Sequence, residues 1–120
     1  MLVLIVSFAA TGLPAVAQQV IATVPVGIQP GQAAVNPVTN KIYVANLCGD
    51  DPNCHSNATV TAIDGVTNNT RSVNVGYYPG GTAVNPVTNR IYIPNQCGDP
   101  FCQTHDGTVS VIDGVTVIRP

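Results

Sequence analysis

Cys48 and Cys54 enclose a short loop that His55 follows, and Cys97 and Cys102 enclose a second that His105 follows at a short distance. Sulfur and imidazole together could hold zinc or copper. Zinc sites, however, favour tighter cysteine spacing than these pairs have, and they need thiolates. Asp50, Asp51 and Asn53 put hard oxygen donors on the first loop, the ligand type calcium takes. Asp99 and Asp106 repeat that set only in part. A redox dithiol of the C-x-x-C type is absent. Two cysteine pairs at matched places read best as disulfides of an oxidising compartment. Because each pair recurs inside one copy of a repeat, the expected links are Cys48–Cys54 and Cys97–Cys102. Gly49, Asp50 and Pro52 in one loop, and Gly98, Asp99 and Pro100 in the other, let the chain turn back sharply enough to close them. No metal and no cofactor is expected.

Tyr77-Tyr78 is the other group with chemistry to offer: adjacent aromatics on a loop could stack against a sugar or a peptide. Tyr43 and Tyr92 occupy matched strand positions and read as packing residues. His55 and His105 do not align with each other and read as exposed loop residues. Asp64 and Asp113 each precede glycine at a matched turn. The chain has no Ser/His/Asp set, phosphate loop or dinucleotide fingerprint, so no catalytic residues are assigned.

The elements that position these residues come from an internal repeat. NPVTNKIYVANLCGD, starting at residue 36, returns as NPVTNRIYIPNQCGD, starting at residue 85. Residues 24–71 laid over 73–120 agree at about half their positions without a gap in overall length. A period of this size signals a solenoid, a propeller or an array. Within one copy, Ala33–Val35, Lys41–Ala45, Thr59–Ile63 and Arg71–Val75 read as four short strands. Asn36–Asn40 and Asp64-Gly65 supply the turns. Ile42 and Val44 fall on one strand face and Tyr43 on the other. Glu is absent, only 8% of residues are charged, and Val, Ile, Thr, Asn, Gly and Pro dominate, all of which favours an all-β fold. Four antiparallel strands per repeat, with no helix, is the make-up of a propeller blade. A net charge of −2 with scattered basic residues argues against nucleic acid as a partner.

The run Asn36-Pro-Val-Thr-Asn-Lys-Ile-Tyr-Val-Ala-Asn46, followed by Thr59-Val-Thr-Ala-Ile-Asp-Gly65, resembles the YVTN β-propeller repeat of YncE-like bacterial secreted proteins. The resemblance covers residues of about 20–120. It implies a secreted or periplasmic binding platform and brings no catalytic residue set with it. The chain departs from that pattern in three ways. It holds only two blades, plus an extra rim strand expected over Val20–Val26. Its repeat is lengthened by the cysteine insertion. Pro94 stands where the first copy has Ala45, so an edge or bulge is expected there.

Residues 1–17 are a different material: an apolar run ending in Ala15-Val16-Ala17 before polar Gln18-Gln19, which reads as a signal peptide cut after Ala17. Residues 18–120 then form the propeller segment, with blade repeats at about 24–71 and 73–120 and no membrane span. Propellers typically close with 4–8 blades. The expectation is therefore a piece of a longer propeller, with self-association through open blade faces as a further expectation. The expected function is a non-enzymatic secreted binding or scaffold module for a protein, peptide or glycan. The alternative is part of a propeller enzyme or redox protein whose active site lies in other blades.

Overall fold

A computed structural model describes residues 17–117. The expected signal peptide lies, but for Ala17, outside the described residues. The fold is all-β and consists of two antiparallel sheets. The first is a four-stranded meander of β1 (Ile28–Asn36), β2 (Lys41–Gly49), β3 (Thr59–Asp64) and β4 (Thr70–Asn74), each strand pairing with the next. All four strands expected of one repeat are present, and three of them are longer than the sequence suggested.

The second sheet is built on β7 (Arg90–Cys97). One edge of β7 pairs with β5 (Tyr77–Pro79) and β6 (Ala83–Asn85) in tandem, and the other edge pairs with β8 (Thr108–Asp113). β5 and β6 are the two halves of the strand that β1 forms in the first sheet. β1 itself breaks register between Ile28 and Pro30 and between Pro30 and Ala33. Pro94 falls opposite this irregular stretch. It pairs with Val109 on the β8 side and accepts a hydrogen bond from the Gly80 amide on the other. The expected irregularity thus lies in the neighbouring strand, where a proline leaves no ladder acceptor without its donor.

One expectation is corrected. Val20–Val26 is not a strand: it runs irregularly, with Ile21 95% exposed. Its β-favouring residues have no sheet edge beside them among the described residues, and a strand needs a neighbour for its N–H and C=O groups. The counterpart of β4 in the second copy would start at residue 119, outside the described residues. Past β8 the chain makes a short helical turn, α1 (Gly114–Val117). The first copy turns back through Asn68, whose φ of 63° is left-handed.

The turns otherwise repeat closely. Asn36 Oδ1 accepts from the amides of Val38 and Thr39, and Asn85 Oδ1 from those of Val87 and Thr88. Asn40 and Asn89 both sit at φ 55°. The Gly65 amide donates to the Asn40 carbonyl at 2.8 Å, and Gly114 to Asn89 at 2.9 Å, which joins the two turns of each sheet at one end. A Cβ on Gly65 or on Gly114 would collide with the asparagine it caps.

The core lies between the sheets. Tyr43 and Ala45 of β2 and Val60 and Ala62 of β3 pack on Val84, Ile91, Ile93 and Ile112 of the second sheet. In the repeat, Ile91 and Ile93 correspond to Ile42 and Val44, not to Tyr43 and Ala45. The sheets therefore stack face on opposite face, like successive steps of one staircase. Asn36 Nδ2 donates to Asn89 Oδ1 at 3.0 Å, and Lys41 Nζ to the Gly114 carbonyl at 3.3 Å, across the same boundary.

Candidate functional site: the cysteine-loop end

One end of both sheets carries the cysteine loops together with the segment Gly76–Tyr78. The disulfides are Cys48–Cys54 and Cys97–Cys102, as the repeat predicts. They fit an oxidising compartment, extracellular or periplasmic. Cys54 and Cys102 both adopt left-handed φ, 61° and 56°, a conformation that a non-glycine residue holds only under constraint.

Each loop is organised by one aspartate. Asp51 accepts from the amides of Asn53 and His55 and from the Ser56 hydroxyl. Asp99 accepts from the amides of Phe101, Gln103 and Thr104 and from the Thr104 hydroxyl. The amide bonds from Asn53 and His55 hold the Asp51 carboxyl below its ordinary range. The Thr104 hydroxyl and amide do the same, more strongly, for Asp99. Gap-free alignment pairs Asp99 with Asp50, but by its bonds Asp99 is the counterpart of Asp51. The second loop is one residue shorter, and the aspartate has moved with the turn.

This arrangement bears on calcium. Donors from the loop itself converge on Asp51 and Asp99, so their oxygens point at N–H and O–H groups. Among the described residues no three His, Cys, Asp or Glu side chains gather in a metal-binding cluster. Asp106 makes no part of such a set.

The two loops touch. The rings of His55 and Phe101 lie 4.9 Å apart, tilted, and Phe101 is 62% exposed. His105 is exposed on the second loop. Tyr77 and Tyr78 are both half-buried. Tyr78 has φ 53°, and its hydroxyl donates to the Pro100 carbonyl at 3.0 Å, so it braces the second loop. Beside the first loop runs a polar groove of about 310 Å³ lined by Asp50, Asp51, Ser56, Asn57, Thr59 and Asn74. A second groove, of about 300 Å³, crosses from Leu47 and Pro30 to Pro79 and Gly80, from one sheet to the other.

Sequence reasoning missed Phe101 and His55 as a pair, and it missed two buried asparagines beneath the loops. Asn46 Nδ2 donates to the hydroxyls of Thr59 and Thr61, and Asn95 Nδ2 to those of Thr108 and Ser110. The signal was present: an asparagine at one matched position inside two apolar strands. Tyr43, fully buried between the sheets, has a hydroxyl without a partner. Burial, and then the charge of Asp113, raises its pKa.

No family model, curated protein or solved structure matches this chain. No helix among the described residues is long and apolar enough to cross a membrane.

Proposed function

We propose that the chain is a secreted or periplasmic, non-enzymatic binding module of the YVTN propeller type. Each sheet is one blade, and the cysteine-loop end is the ligand surface. The observation that supports this reading is the stacking: two repeats present equivalent, disulfide-stapled loops side by side at one end. Asp51 and Asp99 are committed to shaping the loops by the bonds they accept. What these loops offer outward is the exposed Phe101 ring and a polar groove, with half-buried Tyr77 at the start of β5, a combination suited to a peptide or glycan.

The test is a peptide and glycan array probed with the full chain, repeated with Phe101→Ala and with Tyr77→Ala. The expected result is retained binding by the parent and a loss of about tenfold or more in each variant. Binding indifferent to both substitutions, or no binding on either array, would overturn the reading.

A further inference from the structure

We propose that Asn68 is an acceptor for an N-linked glycan, and that the fold closes the second site of the same pattern, at Asn57. The proposal goes beyond the loop-end reading and stands whether or not the loops hold a ligand.

The acceptor pattern is an asparagine followed two residues later by serine or threonine, with any residue but proline between. It occurs twice, as Asn57-Ala58-Thr59 and as Asn68-Asn69-Thr70. Both lie in the first copy of the repeat; the second copy has Asp106 and Val117 in place of the two asparagines. Modification needs an uncommitted side-chain Nδ2, and a threonine hydroxyl two residues on that a transferase can reach. At Asn57 neither condition holds. Asn57 Nδ2 donates to the Val75 carbonyl at 2.7 Å. Ala58 is fully buried, its amide donating to the Gly76 carbonyl and its carbonyl accepting from the Val75 amide. Thr59 is 2% exposed, and its hydroxyl accepts from Asn46 Nδ2 at 3.1 Å. Thr59 also opens β3, where it is paired on both sides, with Asn46 and with Asn74.

At Asn68 both conditions hold. The backbone of this turn is fixed: the Asn68 amide donates to the Asp64 carbonyl at 2.8 Å, the Asp64 amide to the Asn69 carbonyl at 2.9 Å, and the Asn69 amide to Thr67 Oγ1 at 3.2 Å. The acceptor side chains are not fixed. Asn68, Asn69 and Thr70 are all exposed, and among the described residues no hydrogen bond engages the Asn68 side chain or the Thr70 hydroxyl. Thr70 is the first residue of β4, and its only strand partner is Ile63, so the end of the pattern opens without disturbing the pairs that follow. In the transfer, Asn68 Nδ2 attacks the anomeric carbon of an oligosaccharide carried on a polyprenyl diphosphate. A C–N bond forms, the C–O bond to the diphosphate breaks, and the proton lost by Nδ2 passes to a base of the transferase. Nothing is oxidised or reduced. The glycan would stand at the far end of β3 from the first cysteine loop and leave Phe101 uncovered.

The test incubates the folded full chain, its disulfides closed, with an oligosaccharyltransferase and a lipid-linked oligosaccharide, and locates the glycan by mass spectrometry after proteolysis. The expected result is modification at Asn68 and none at Asn57. Short peptides spanning residues 55–61 and 66–72, freed of the fold, should both accept, which assigns the difference to the structure and not to the motif. Thr70→Ala should abolish transfer to Asn68 and leave the thermal melt in place, since Thr70 is exposed, and Thr70→Ser should restore transfer. A folded chain unmodified at Asn68 while the 66–72 peptide accepts would overturn the proposal. So would equal modification at Asn57 and Asn68, a 55–61 peptide that does not accept, or transfer that survives Thr70→Ala.

Discussion

Asp99 is held by four hydrogen bonds from its own loop, and the Thr104 hydroxyl and amide contribute most to lowering its pKa. Asp51 and Asp64 are lowered in the same direction by backbone amides, from Asn53 and His55 in one case and from Val66 and Thr67 in the other. A carboxyl whose folded pKa lies below its unfolded value adds stability above the unfolded value and loses it as pH falls through the folded one. Stability should therefore be level at neutral pH and decline once pH drops below about the ordinary aspartate value of 3.8. Urea midpoints measured across that range should show the decline, and Asp99→Asn should make it shallower. An unchanged acid limb in Asp99→Asn would mean that the loop bonds do not persist in solution. At this scale the sequence was partly legible. Asn40 and Asn89 were readable as left-handed turn residues because asparagine tolerates that conformation better than other side chains. The role of Asp51 was hidden, because a loop one residue shorter in the second copy shifts its counterpart from Asp50's place in the alignment to Asp51's place in the structure.

Each cysteine loop is a small closed ring at the end of a hairpin, and its disulfide acts within that ring. In the chain-entropy account, a ring this short contributes only about 2 kcal/mol. Replacing Cys97 and Cys102 together with serine should lower unfolding stability by about that amount and leave the far-ultraviolet signal of the sheets in place. Amide exchange should quicken in residues 98–106 and not in β7 or β8 beyond the loop. Loss of the whole second sheet would show that the ring holds more than itself. The pairing was legible because the repeat places each cysteine pair inside one copy. The strands of the first sheet were legible for a related reason, since alternating apolar residues between two good turns leave few other options. The strand expected over Val20–Val26 was not available to the chain, because composition reports what suits a sheet and not whether a sheet edge is there to meet it.

At the scale of the whole molecule, the two sheets differ in the strands that flank their third long strand among the described residues. β3 is flanked by β2 and β4, while β8 is flanked by β7 alone among the described residues. The amides of β2 and β3, strands paired on both sides, should exchange more slowly than those of the edge strands β1 and β4. Exchange followed by NMR checks this, and equal rates would mean that the order of the first sheet does not persist in solution. Function was the least legible level. The features proposed to meet a ligand, Phe101 and Tyr77 of the second copy and the polar groove beside the first loop, come from both repeats and not from any local spacing.

The staircase relation between the sheets has a consequence for how such a sequence can change. At the one boundary present, the first sheet uses one face of the repeat unit and the second sheet uses the opposite face, so a single repeat carries both sides of the contact. Tandem duplication of one repeat would insert a unit whose two sides already match their new neighbours, and loss of one would bring matching sides together again. Duplicating half a repeat would set like face against like and strand the polar ends of the turns in the core. Change by whole units would thus keep the chemistry of the boundary between sheets constant.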